Sequence, residues 1–87
     1  MAAPTAETCT ANTWVKVATN VTSANIWRKD NAGTIMLQTY VLTGAAAPTD
    51  EDTAMPVDYP GFEFVNSLGA DIYILSKGKD SIVRVDA

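Results

Sequence analysis

The chemistry open to this chain is limited by its titratable side chains: ten Asp and Glu, one cysteine and no histidine. General acid–base catalysis at neutral pH would fall to carboxylates with raised pKa values. The acidic residues are predicted to lie mainly in loops, where water keeps carboxylates ionised. Without histidine, a Cys–His nucleophile and a Cys/His zinc site are both excluded. The sequence therefore predicts no catalytic residues, no cofactor site and no enzyme.

Oxygen ligands for a cation are concentrated in the run Asp50-Glu51-Asp52, with Asp58 nearby. Calcium sites use about six to eight oxygen ligands, often from alternating positions of a loop that contains a glycine. In this run the acids are consecutive and no glycine interrupts them. A solvated acidic loop is the favoured interpretation, and no metal site is predicted.

Aromatic side chains are the other candidates for binding, since flat rings pack well on apolar surfaces of partners. We expect Phe62, Phe64 and Tyr73 to fill the core of a thin domain. Trp14 begins the ordered region and is the best aromatic candidate for an interface. A face of exposed aromatics, with Trp27 among them, would instead indicate a carbohydrate-binding module.

Strands are the elements predicted to carry these side chains. Segments of alternating, β-branched and aromatic residues recur between turn signals, and no segment has the apolar spacing of a long amphipathic helix. Such spacing is typical of an all-β sandwich or barrel. We expect a single small antiparallel β-sandwich or barrel of about six strands: 14–18, 24–28, 34–43, 61–66, 70–76 and 81–85. The last two should pair as a hairpin, because the Lys77-Gly78-Lys79-Asp80 turn is short and contains glycine.

The N-terminal residues 1–12 are expected to form a flexible arm before a β-sandwich domain at 13–87. The segment reads MAAPTAETCTAN and has no aromatics and no periodicity. It also lacks Lys, Arg and an apolar run, so no secretory signal is expected. Truncating the arm should leave the domain folded and weaken its attachment to a neighbour. The small residues that could enter a groove on an adjacent subunit are Ala2, Ala3, Pro4, Thr5 and Ala6.

The strand predicted at 34–43 is apolar on both faces. One face carries Ile35, Leu37, Thr39 and Val41 and can fill the domain's own core. The other face needs a cover, which a second sheet or a neighbouring subunit could supply, and the pattern does not decide between them. Its candidate partner-binding side chains are Met36, Tyr40 and Leu42.

Size and charge favour self-association over binding to polyanions. A domain of 87 residues buries only roughly 60% of the surface that its unfolded chain exposes, so docking to other copies would stabilise it. Charged residues make up 18% of the chain, the net charge is −4, and the six Lys and Arg are scattered. Nucleic acid and anionic membranes need a clustered basic face, so neither is expected as a partner. A homo-oligomer or a multicopy lattice is expected.

The stretch from Trp14 to the C-terminus resembles small structural proteins of tailed bacteriophages and prophages. The likeness rests on an arrangement of short segments, and the acidic run at 50–52 departs from it. These segments are Trp14-Val15-Lys16-Val17-Ala18, Tyr40-Val41-Leu42, the alanine- and proline-bearing stretch 43–50, Tyr59-Pro60-Gly61, Gly69-Ala70-Asp71-Ile72-Tyr73-Ile74 and Val83-Arg84-Val85.

Such proteins are β-sandwich modules that decorate capsids or join fibres and adaptors to the particle. The resemblance implies a virion structural protein, made in the host cytoplasm, which decorates or cements the phage head. Its partners would be the major capsid protein or tail and fibre proteins. A tail, neck or fibre-attachment component is the first alternative, and a small carbohydrate-binding module is the second.

Overall fold

A computed structural model describes residues 4–28, 35–52, 54–56 and 61–87, with the backbone alone at 62, 66 and 67. The regular structure in these residues consists of strands. They are β1 (Thr5–Cys9), β2 (Trp14–Arg28), β3 (Ile35–Leu42), β4 (Met55–Pro56), β5 (Gly61–Lys77) and β6 (Ser81–Asp86).

The strands form one sheet in the order β1-β6-β2-β5-β3-β4. Every neighbouring pair is antiparallel. The expectation of an all-β antiparallel fold is therefore confirmed. The strand boundaries differ from the expected ones in three places, and each difference has a physical cause.

The first difference is that two expected turns are bends inside long strands. β2 has 15 residues and β5 has 17, and they pair with each other from Trp14–Leu75 to Trp27–Gly61. The register shifts three times between Lys16 and Ser23. Asn20 lies between the expected strands 14–18 and 24–28, and Gly69 between 61–66 and 70–76; their φ values are 52° and 82°. Positive φ at a bulge bends a strand without reversing it, so each predicted pair of short strands is one bent strand.

The bend brings the two ends of β2 close together. The start of β6 lies beside the end of β5, because the Ser76 hydroxyl donates to Ser81 Oγ at 2.9 Å. Val83, two residues further on, already pairs with Arg28 at the far end of β2. A strand of this length would span about 50 Å if straight, whereas the longest dimension of the molecule is 32 Å. The β2–β5 ribbon therefore folds back on itself.

A single core lies between the two halves of the bent sheet. One half contains residues 14–18 of β2, residues 70–77 of β5 and β3; the other contains residues 24–28 of β2, residues 61–65 of β5, β6 and β1. Each half contributes one face to the same cluster, which buries apolar surface that neither half could cover alone. The buried members are Cys9, Val17, Ala18, Ala24, Ile26, Met36, Phe64, Ala70, Ile72, Ile74, Val83 and Val85.

The second difference concerns the N-terminal arm. A flexible arm over 1–12 is wrong for residues 5–12: Thr5–Cys9 is a strand that pairs with β6, and the side chain of Cys9 is fully buried. Asn12 N–H donates to the Ser76 carbonyl at 2.7 Å, which fixes the segment after β1. Without apolar alternation the segment gave no strand signal, because an edge strand needs only backbone pairing and one buried side chain. Residues 1–3 lie outside the described part of the chain.

The third difference is the partner of β6. The hairpin expected between 70–76 and 81–85 is wrong, because β6 pairs with β1 and β2, and β2 separates it from β5 in the sheet. The short glycine-containing turn is present, with Gly78 at φ 90°. The turn carries the chain from one half of the sheet to the other, so local turn chemistry gave no information about which strand β6 would join.

Candidate functional site

Among the described polar groups, the Asp71 carboxylate at the bend is buried and held by several partners. Its side chain is 3% exposed, and Oδ2 lies 3.5 Å from Lys16 Nζ. Oδ1 accepts a hydrogen bond of 2.9 Å from the Asn20 backbone N–H. That hydrogen bond holds the pKa of Asp71 below its ordinary value of 3.8; burial opposes the shift, while the positive charge of Lys16 and the Gly44 amide assist it. The carboxylate thus stabilises the positive-φ backbone of Asn20, and its tight pairing indicates a structural role.

The residues expected to bind a partner do not form one site. Pro4, Thr5 and Ala6 are exposed at the β1 edge of the sheet. Trp14 is half-buried and pairs with Leu75 at the start of β2. Ala2 and Ala3 lie outside the described residues. The arm and the tryptophan are therefore parts of different strands, and nothing in the structure joins them into a single surface.

On β3 the structure separates the three expected partner-binding side chains. Met36 is 2% exposed and belongs to the core, so the prediction that it is available to a partner is wrong. The sequence did not decide what covers this face of β3. At Met36, the folded-back half of the sheet covers it. Tyr40 and Leu42, at the other end of the same face, remain 47% and 52% exposed.

Exposed apolar side chains gather where β3 leaves β5. The Tyr40 ring packs edge-on against Phe64 from the other half of the sheet, with ring centroids 4.9 Å apart. Leu42 pairs with Ala70, two residues from the exposed Leu68. We call Tyr40, Leu42 and Leu68 the β3–β5 patch. Next to it, residues 61–65 of β5 pair with β2, and no other described strand pairs with them. Exposed apolar side chains that lie together are a feature of protein interfaces.

A second surface lies on the outer face of the other half of the sheet. Trp27 is 37% exposed, and its strand neighbours are Gly61 on one side and Arg84 on the other. In the next row Asn25 lies between Glu63 and Asp86. The register therefore places a guanidinium, an amide and two carboxylates on neighbouring positions around Trp27. We call this set the Trp27 face, and no signal in the order of the sequence indicated that these residues meet.

The acidic run at 50–52 is engaged in local contacts. Asp50 Oδ1 accepts from the Asp52 backbone N–H at 3.0 Å, and Glu51 pairs with Lys77 at 3.2 Å. Across the residues that the structure describes, no three Cys, Asp or Glu side chains come together as a metal-binding group. Asp58 lies outside them. In the same residues no helix has the length and apolar character of a membrane span.

Comparison of this chain with protein-family models, with curated proteins and with solved structures gives no match.

Proposed function

We propose that this chain is a structural protein that acts in many copies on a larger particle, specifically by decorating or cementing the head of a tailed phage. The virion setting rests on the sequence resemblance. The observation that carries the proposal is the β3–β5 patch, where exposed apolar side chains lie at one end of β3. Among the described titratable groups, Lys16 pairs with Asp71 and Lys77 with Glu51. Three of the exposed large apolar side chains, Tyr40, Leu42 and Leu68, lie where β3 leaves β5.

The patch suits a protein partner because of how it is built. Tyr40 is held by Phe64 on one side, so its ring loses little conformational freedom on binding, and Leu42 stands on a paired strand. Preorganised aromatic and aliphatic side chains are the usual anchors of interfaces. Because the Lys and Arg residues are scattered and the net charge is −4, we expect the patch to bind an apolar or basic protein surface.

Mass spectrometry of purified phage particles tests the virion setting. We expect this chain in many copies per particle, in proportion to the major capsid protein. A few copies that co-purify with isolated tails would favour the tail, neck or fibre alternative. Particles that lack the chain altogether would overturn the virion setting.

A pair of substitutions on one strand tests the patch. Fully burying an exposed leucine is worth about 1.5–3 kcal/mol, and Leu42 has 52% of its surface left to bury. Leu42→Ser should therefore lower binding to particles about threefold to tenfold. Ile35→Ser is the matched control, because Ile35 is 64% exposed at the other end of β3 and has opposite parity along the strand. The control should bind like the unmodified chain. Equal loss in both variants, or loss in neither, would rule out the patch as the interface.

The Trp27 face favours carbohydrate binding as a second candidate function. A half-exposed indole flanked by amide, carboxylate and guanidinium groups can stack on a sugar ring and hydrogen-bond its hydroxyls. Screening on a glycan array tests this candidate. Binding that is lost in Trp27→Ala and kept in Val65→Ala, an exposed residue of the same half, would support it. Absence of any glycan signal would remove it.

A further inference from the structure

β1 has few links to the rest of the described fold. It lies at the edge of the sheet, and among the described strands it pairs with β6 alone. Of its five side chains only Cys9 is buried. The rest of the core cluster comes from strands that pair with one another without β1.

The segment after β1 is held in place by hydrogen bonds, whereas β1 itself can detach from the sheet. Ala11 N–H donates to Asp80 Oδ1 at 2.8 Å, and Asn12 Oδ1 accepts from the Gly78 N–H at 3.0 Å. These bonds hold residues 11–12 against the turn between β5 and β6. The residue just before them, Thr10, is exposed and can act as the pivot. From such a pivot an extended strand reaches about 20 Å.

We propose that β1 is exchanged between copies of this chain, so that the β1 of one copy pairs with the β6 of its neighbour. The slot on β6 is the edge of that strand which pairs with β1. The structure shows which segment fits there, because the chain's own Thr5–Cys9 fills it from Thr5–Val85 to Cys9–Ser81. An identical strand from a second copy makes the same contacts. Exchange of this edge strand therefore costs little in contacts and links copies into a dimer or a continuous array. The inference rests on the multicopy assembly in the proposed function and names the element that makes the link.

Mixed-chain disulfide trapping tests the exchange. Ala6 and Arg84 are register partners on β1 and β6, and both are exposed. Cysteines at paired positions of adjacent strands are close enough to bond. Two full-length chains, one with A6C and one with R84C, both in a C9A background, are unfolded together, refolded together and oxidised. Exchange predicts a covalent A6C–R84C heterodimer on a non-reducing gel.

The control mixture pairs the A6C chain with an S23C chain, because Ser23 is exposed on β2 and pairs with Val65 rather than with β1. We expect at least about tenfold more heterodimer in the first mixture. A second variant tests a different pair of positions on the same two strands. S81C in the otherwise unmodified chain places a thiol opposite Cys9. It should give covalently linked oligomers if strands are exchanged and monomers bridged within one chain if they are not.

Light scattering on the unmodified chain distinguishes the proposed strand exchange from the proposed multicopy role. Oligomers in solution together with bridges confined to single chains would overturn the exchange and leave the multicopy role standing. A chain that is monomeric at millimolar concentration, bridges only within itself and is absent from particles would overturn both.

Discussion

At the scale of single residues, Asp71 explains how the longest strands can bend without losing a backbone partner. A bulge frees backbone N–H groups from the ladder, and a buried N–H without an acceptor is costly. The Asp71 carboxylate accepts the hydrogen bond of Asn20, whose φ of 52° marks the bulge. An aspartate two residues after Gly69 was visible in the sequence, but its partner lies 51 residues away. Sequence order therefore gave no sign of the pair.

The lowered pKa of Asp71 makes its contribution to stability dependent on pH. Because the folded pKa lies below the unfolded value of 3.8, the contribution is complete above that value and is lost as the pH falls through the folded pKa. Asp71→Asn should lower the Tm at neutral pH, and the difference from the unmodified chain should shrink below pH 3.8. Thermal unfolding followed by circular dichroism measures this. Asp52→Asn, a change in the exposed loop, should leave the profile unaltered; a constant gap for Asp71→Asn at all pH values would contradict the assignment.

Gly61 is required by a close approach of two backbones. A Cβ at this position would overlap the carbonyl oxygen of Ile26 and lie 2.9 Å from the Trp27 Cα. Gly61→Ala should therefore reduce the free energy of unfolding by about 3 kcal/mol. Gly44→Ala is the control: φ there is 89° and no atom lies within 4 Å of the added Cβ, so the cost is the left-handed backbone alone, about 1 kcal/mol. Urea unfolding measures both, and equal costs would show that the contact at Gly61 relaxes.

At the scale of elements, the sequence predicted strands well and their connections poorly. Alternation and β-branched residues located every long strand, because burial on a pleated surface imposes those residue types. Asn20 and Gly69 also signalled a change of direction, but a bulge and a reversal require the same positive φ. The turn at 77–80 likewise joins β5 to a strand that pairs elsewhere. Which strands pair is decided by the shared core, and only the folded chain contains that information.

β1 contributes measurably to stability, although it looked dispensable in the sequence. Deleting residues 2–10 removes its ladder to β6 and the buried Cys9, so the free energy of unfolding should fall by about 3 kcal/mol. Deleting 2–4 removes no described strand residue and should change it by less than about 0.5 kcal/mol.

A peptide of residues 4–10 provides the complementary experiment. Added in excess to the chain that lacks residues 2–10, it should raise the Tm as the peptide concentration rises, because it binds the folded state alone. A peptide of the same composition in scrambled order is the control. If both peptides act alike, or neither acts, the slot on β6 does not recognise β1 as a separate strand.

At the scale of the whole molecule, the fold gives a thin body, 32 × 28 × 17 Å, in which the buried apolar residues that the structure describes form one cluster. The candidate surfaces could be predicted only in part. Tyr40 and Leu42 were identified from the two-faced strand, and both are about half-exposed. Met36 has the same parity as both, yet it is buried, because the bent sheet covers one end of β3 and not the other. The Trp27 face is assembled from three strands, so no local pattern could have predicted it.

A thin domain of this kind should be stabilised by association with other copies of the chain. A domain of this size has a small core, and association that is restricted to the folded state raises the apparent stability by mass action. We expect the Tm to rise with protein concentration between the micromolar and millimolar ranges. The chain that lacks residues 2–10 should lose most of that rise, because it has no β1 to exchange with a neighbour. Leu42→Ser should keep the rise, because the β3–β5 patch is proposed to contact the particle and not another copy of this chain. Scanning calorimetry at matched concentrations measures both, and a Tm that is independent of concentration in the unmodified chain would mean that β1 does not join copies of this protein to one another.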